Sequence, residues 1–302
     1  MNIHLDNVNL NSQSGPNSFA SKLVKYMFQR GHSFDYKSYP DVVLSFIEST
    51  RRYPKNIPVI QRLDGIYFNM TQDFNNLNKN IRRTYEQSDG VIFQSEFNKN
   101  LTFKYFGEHE NYNIIHNGAD VDSISESKPL DKTKFNKVWC CASSWRPHKR
   151  LDDNIRYFLE HSNIDDFMVV AGSVPTKNQV NHDRVKYAGN VSPSDLLRLY
   201  KTSDYFIHLA WLDHCPNVVV DARASGCKII CSSTGGTKEI AGPDAIVIEE
   251  EEWNFSPVEL YNPPKMDFSK KISNSYESAF DMNEVIKQYE NFFINTKRKL
   301  DT

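Results

Sequence analysis

Nine short apolar runs constrain this chain more than any other feature: "DVVLSF" (41–46), "IPVIQRL" (57–63), "GVIFQS" (90–95), "NIIHNG" (113–118), "KVWCCAS" (137–143), "FMVVAGS" (167–173), "YFIHLA" (205–210), "CKIICSS" (227–233) and "AIVIEE" (245–250). Most lack polar alternation, as strands buried on both faces do. Between them lie helix-like segments such as 17–31, 95–107 and 193–203. Strand followed by helix, repeated, implies an α/β protein with parallel sheets joined by crossovers. A chain of 302 residues has room for two such cores.

The polar stretch "VDSISESKPLDKTKFN" interrupts the pattern and is the best linker candidate. The expected organisation is an N-terminal domain over 1–122, a linker over 123–136, a C-terminal domain over 137–281 and an amphipathic helix over 282–302 able to pack on either half, the N-terminal one included. Glu249 to Glu252 read as a solvated acidic loop. The formal net charge of -2 supplies no field for nucleic acid or an anionic membrane, so no nucleic-acid partner is expected and any anion site must be local. Membrane contact is not indicated, although "KYMFQR" has basic and aromatic residues that a lipid surface would suit; a solvated helix face is the simpler reading. Five cysteines without disulfide or metal spacing, no leader-like start and no spanning stretch point to the reducing cytoplasm and to no metal site. Cys140 and Cys141, adjacent in one run, should face opposite sides of a sheet.

Two stretches carry charge where apolar runs end. "SSWRPHKRLDD" (143–153) sets Arg146, His148, Lys149 and Arg150 after "VWCC", a strand, basic turn and helix that would aim cations and helix N–H groups at an anion. The alternative is surface charge beside Asp152 and Asp153. Asp213 and Asp221 bracket "HCPNVVV", where Pro216 favours a helix start with free N–H groups at Asn217 and Val218 and Gly226 ends it. Eight residues of continuous helix would separate the two carboxylates by about 12 Å, too far to share a proton but suited to two ends of an elongated polyhydroxylated ligand. The alternative is a helix-start charge and a satisfied mid-helix Asp. Both stretches follow strands of the same half, and ligands of open parallel sheets bind beyond the strand C-termini.

In order and spacing, "SGPNSFASKLVKYMFQRGH", "SDGVIFQSEFNKNLTFKYFG", "IIHNGADVD", "SSWRPHKRLDDNI" and "YAGNVSPSDLLRLYKTSDYFIHLAWLDHCPNVVVDARASGCKIICSSTGGTKEIAG" resemble the family 4 (group 1) retaining glycosyltransferases of GT-B fold. The resemblance covers most of the chain and implies two Rossmann-like domains facing across a cleft. Asp213 and Asp221 stand where the family has Glu-x7-Glu, which would put Asp213 near the transferred sugar and Asp221 on the ribose hydroxyls. Arg146 and Lys149 match the family's diphosphate-binding Arg and Lys with a small gap, and Gly235 and Gly236 match a glycine loop that approaches the donor. Asn190 and Val191 fall where the family meets the base, and Gly15 where it usually has two glycines. Asp64 lies in a region where many relatives carry a catalytically important polar residue, though an Asp before Gly also suits a turn. His116 reads as cleft-lining or packing.

The implied activity is transfer of a sugar from a nucleotide-diphosphate sugar to a hydroxyl of a carbohydrate, glycan or lipid-linked acceptor, with anomeric retention and without metal or resident cofactor. A noncatalytic nucleotide-sugar-binding protein and a nucleotide-sugar epimerase of the same fold are the alternatives.

Overall fold

The computed structural model describes residues 1–300. The chain forms two compact units, one built from 1–118, 255–258 and the segment from 279 onward, the other from 119–254 and 259–278.

The first unit runs β1 (Ile3–Asp6), α1 (Gly15–Gln29), β2 (Val42–Phe46), β3 (Val59–Leu63), α2 (Phe74–Leu77), α3 (Lys79–Gln87), β4 (Gly90–Phe93), α4 (Glu96–Phe106) and β5 (Tyr112–Ile114). Its five strands are parallel and lie in the order β1-β2-β3-β4-β5. Every residue of β1, β2 and β4 is buried, as strands covered on both faces require. A parallel bridge from Asn2 to Ser33 extends the sheet past β1. Counting it, the direction of strand addition reverses at β1, whose C-terminal end leads into the loop before Gly15.

The second unit runs α5 (Val121–Glu126), β6 (Val138–Ala142), a 3-10 turn (Pro147–Lys149), α6 (Leu151–His161), β7 (Phe167–Ala171), a second 3-10 turn (Thr176–Asn178), β8 (Val185–Gly189), α7 (Pro193–Thr202), β9 (Tyr205–His208), α8 (Asn217–Ala224), β10 (Lys228–Ser232), α9 (Thr237–Ile240), β11 (Ile246–Ile248) and β12 (Lys271–Ile272). Its sheet order is β12-β11-β10-β9-β6-β7-β8, parallel except for the short β12. Strands are added outward from β6 to one side, then outward from β9 to the other, so the topology switches between β6 and β9. Cys140 packs into the core on one face and Cys141 into the core on the other, the alternation their adjacency required.

The last helix, α10 (Met282–Leu300), returns to the first unit. Its Met282, Val285, Ile286, Tyr289, Phe292 and Phe293, at helical spacing, meet Phe19, Ala20, Leu23, Tyr26 and Met27 of α1 in one core. Burial of each large apolar side chain there contributes on the order of 1.5–3 kcal/mol. Gly118 makes room for the start of α10, because a Cβ there would come within 2.6 Å of the Met282 Sδ. Glu290 ties the helix down by accepting from the Arg30 guanidinium at 2.8 and 2.7 Å and pairing with His32 at 2.7 Å.

Three expectations change. The expected linker over 123–136 starts inside α5, whose Ile124 is buried in the second unit's core. Apolar contact at Ala119 and Ile124 draws this stretch into that unit, so the boundary falls after 118 rather than 122, and 255–258 crosses back to the first unit. The acidic run is not uniformly solvated either. Glu249, Glu251 and Glu252 are exposed, but Glu250 has a side chain only 9% exposed because Arg150 neutralises it. Strands β1, β8 and β12 are not among the nine runs: β1 mixes His and Asp into its apolar residues, β8 alternates with Lys186 and Gly189, and β12 has two residues.

The least expected core residue is Arg62 on β3, whose side chain is 0% exposed. It pairs with Asp64, donates to the Tyr289 hydroxyl at 3.1 Å and to Asn117 Oδ1 at 2.6 Å, and lies over the Phe19 ring at 4.1 Å. Burial alone would favour its neutral form, and the Asp64 charge with the Tyr289 hydroxyl reverses that, raising its pKa. Removing one member of a buried ion pair strands the other. Arg62→Ala should therefore lower the unfolding free energy by about 3 kcal/mol or more in urea titrations.

Candidate active site

The sequence around Lys149 folds as a stop-and-turn after β6. Pro147 opens a single 3-10 turn, and Arg150 ends it at φ +52°, in the left-handed region that few side chains adopt without support. The support is the buried Arg150 guanidinium, which forks onto Glu250 at 2.9 and 2.7 Å and donates to the carbonyls of Leu209 (3.3 Å) and Pro264 (2.9 Å). Asn154, one turn into α6, donates to the carbonyls of Lys149 (3.0 Å) and Arg150 (2.6 Å) and accepts from Leu209 N at 3.2 Å. Trp211 N donates to the His148 carbonyl at 2.7 Å. The loops that leave β6 and β9 are thus stitched together at the switch point, where open parallel sheets leave a crevice for ligands.

Asp213 sits where these loops meet. Its Oδ2 accepts from Lys149 Nζ at 2.5 Å and pairs with His208 Nε2 at 2.8 Å, and its Oδ1 accepts from His214 N at 3.0 Å. The Lys149 and Asp213 side chains are 17% and 15% exposed. Burial opposes the Asp213 charge, but the Lys149 charge and the His208 hydrogen bond outweigh it and hold the carboxyl well below the usual carboxylate range. The imidazoles go the other way. Burial first, then the Lys149 charge, pushes His148 down to about 3; burial brings His214 down to about 4 despite Asp213. Burial likewise lowers His208 against the pull of Asp213. At neutral pH the cluster therefore contains one ion pair and neutral histidines.

The glycine loop after β10 closes the cluster from a third side. Gly235 has φ +80°, and a Cβ on it would come within 2.6 Å of the Asp213 carbonyl and 2.8 Å of its nitrogen. Gly236 N donates to the Asp213 carbonyl at 2.7 Å. Among the expected site residues, the second unit so brings together Lys149, Asp213, Gly235 and Gly236. Arg146 stands at the entrance to the same turn, exposed and with no ion pair among the described residues. Asn217 and Val218 form the first turn of α8, and Asp221 lies half-buried one turn further on. Because α8 begins only at Asn217, Asp213 is on a loop and the helical separation of about 12 Å does not apply. Asn190, exposed, and Val191, half-buried, follow β8; Val191 packs on the same core as Val218.

The remaining candidates lie in the first unit. Gly15 opens α1 behind Ser14 and is exposed. Asp64 follows β3 with a side chain 14% exposed; its Oδ1 takes Arg62 and the Gln94 amide (2.6 Å), and its Oδ2 is enclosed without a hydrogen bond. His116 is half-buried beyond β5.

Sequence reasoning passed over His208, Asn154 and Glu250. A His closing an apolar strand five residues before an Asp was a usable signal for the first. Glu250 and Asn154 carried none, since their partners are distant in the chain or are backbone carbonyls. Arg150, grouped with the anion-binding cations, is instead neutralised by Glu250.

The architecture is the GT-B fold. AviGT4, a glycosyltransferase involved in avilamycin A biosynthesis, superposes with a TM-score of 0.63 at 12% identity over 99% of this chain and 98% of its own. A glycosyltransferase from Rickettsia africae ESF-5 gives 0.61 at 15% identity, over 98% of each chain. HepE of Anabaena, solved with UDP-glucose, gives 0.61 at 12% identity over 99% of this chain and 94% of its own. In sequence, residues 122–254 match the family model of glycosyl transferases group 1, a span that contains the whole Lys149–Asp213–Gly235 cluster. No curated protein matches the chain significantly.

Gly235→Ala should cost about 1–3 kcal/mol, from strain at positive φ and displacement of the Asp213 backbone, read as a lowered urea midpoint. Acidification should also destabilise the fold. The unfolded chain's histidines take up protons near their ordinary value of 6.5, whereas folded His148 and His214 resist until about 3 and about 4. The stability that depends on neutral histidines is whole above 6.5 and is lost as pH falls toward 4. The urea midpoint should fall between about pH 7 and about pH 5, and His214→Gln should shrink that fall.

Proposed function

We propose that this protein is a group 1 glycosyltransferase that moves a sugar from a nucleotide-diphosphate sugar to a hydroxyl acceptor with retention of anomeric configuration. The observation that carries the reading is the Lys149–Asp213 pair set against Gly235 at the switch point, inside the segment that matches the family model. HepE, of the same fold, binds UDP-glucose, which supports a nucleotide sugar as donor. A carbohydrate, glycan or lipid-linked hydroxyl is the proposed acceptor, with the first unit and its Asp64 on the acceptor side and Gly15 near the phosphates.

Departure of the sugar builds negative charge on the leaving diphosphate. Groups already aimed at that charge stabilise the transition state more than the ground state. Arg146, exposed at the mouth of the turn, supplies a cation for it. The start of α8, at Asn217 and Val218, adds the positive end of a helix dipole. Lys149 commits one of its three donors to Asp213, so the ammonium is oriented by the carboxylate and can still donate to phosphate oxygens. Asp213 also accepts near the transferred sugar, Gly235 and Gly236 let backbone approach the donor, and Asp221 takes the ribose hydroxyls beside a base held at Asn190 and Val191. The acceptor attacks from the leaving-group side and a phosphate oxygen takes its proton, a route that requires neither a metal nor a covalent enzyme intermediate.

Thermal unfolding in the presence of UDP, GDP, ADP and their sugars should show a rise for one base, because a ligand that binds only the folded state stabilises it. Product analysis by NMR should show the donor's anomeric configuration preserved. Arg146→Ala should lower kcat/KM by about 2–4 kcal/mol in transition-state terms. Asp221→Ala should weaken nucleotide binding, by calorimetry, more than it slows turnover.

A further inference from the structure

We infer that His148 is a donor-positioning residue, whose neutral imidazole donates a hydrogen bond to an oxygen of the bound nucleotide-diphosphate sugar. The inference rests on the function proposed above and adds a contact to it.

His148 lies between Arg146 and Lys149 in the turn after β6 and is only 8% exposed. Nδ1 is fully enclosed without a hydrogen-bond partner, whereas Nε2, which no described residue bonds, is not enclosed. A buried imidazole normally satisfies at least one nitrogen, so an unsatisfied one needs a cause. The ring is stacked on Tyr261 with centroids 5.5 Å apart and planes at 27°, and its own backbone carbonyl is fixed by Trp211 N at 2.7 Å. The ring is therefore held by packing while its polar atoms stay uncommitted. A buried N–H without an acceptor costs more than a bare acceptor lone pair, so the favoured tautomer leaves Nδ1 bare and carries the proton on Nε2. That makes Nε2–H the group available to a ligand.

The surrounding charges define what that group can meet. Lys149, Arg146, Asp213 and His208 all act on the ring electrostatically, and Asp213 is already committed through both oxygens. An acceptor supplied from outside, next to two cations, is an oxygen of the diphosphate or of the sugar attached to it. The neutral ring adds direction there without adding a third cation.

The test is calorimetric titration of the nucleoside diphosphate and its sugar into wild type, His148→Phe and His148→Gln. Phe keeps the stack and removes the donor, whereas the Gln amide places an N–H near the former Nε2. The expected result is a roughly tenfold weaker Kd for His148→Phe with its melting temperature at or above that of wild type, and affinity largely restored in His148→Gln. Equal affinity of His148→Phe and wild type overturns the inference, as does equal loss in both variants, which would mean a packing role alone. If wild type binds no nucleotide, the proposed function itself fails and this contact falls with it.

Discussion

The carboxylate of Asp213 holding the ammonium of Lys149 is the contact on which the second unit's candidate site is organised. It joins the loop after β6 to the loop after β9, the two central strands between which the topology switches. Everything near it is arranged so that this pair keeps its charge in a mostly enclosed position. His208 and the His214 amide also bond Asp213, and Gly235 lets its backbone sit against the glycine loop. A second ion pair, Arg150 with Glu250, lies behind the first and secures the left-handed residue from which α6 departs. Two neighbouring basic residues in one turn thus act differently, one facing the site and one bracing it.

Much of this is legible in the sequence. Uninterrupted apolar runs locate most strands because parallel strands covered on both faces leave no room for polar alternation. The basic turn and the Asp213–Asp221 stretch stand out because each puts charge where an apolar run stops. What stays hidden is set by contacts between distant residues. Nothing local to Glu250 separates it from Glu249 and Glu251; only Arg150, far away in the chain, draws it inward. Arg62 reads as a lone charge inside a strand until Asp64, Asn117 and Tyr289 are seen around it. The helical estimate for the two aspartates fails because Pro216 delays the helix, leaving Asp213 on a loop at a position its sequence spacing does not indicate.

The buried network in the first unit follows a different logic from the cluster around Asp213. Arg62, Asp64, Gln94 and Asn117 share hydrogen bonds in a low-dielectric setting, where a satisfied network is rigid and a missing member is costly. Asp64 is held by that network on one oxygen while the other is left over. Its orientation is therefore fixed by neighbours and not by solvent, which separates it from an ordinary surface turn residue.

The return of α10 has a consequence for biogenesis. Tyr289, which completes the shell around Arg62, and Met282 to Phe293, which cover α1, leave the ribosome only after the entire second unit has been made. During synthesis the early strands must wait with an apolar flank and with one donor of the Arg62 guanidinium lacking its Tyr289 acceptor. The second unit, almost continuous in sequence, has all its elements once residue 278 is made, before α10 can complete the first. Translation order therefore lets the half that carries the Lys149–Asp213 pair mature ahead of the half that α10 completes.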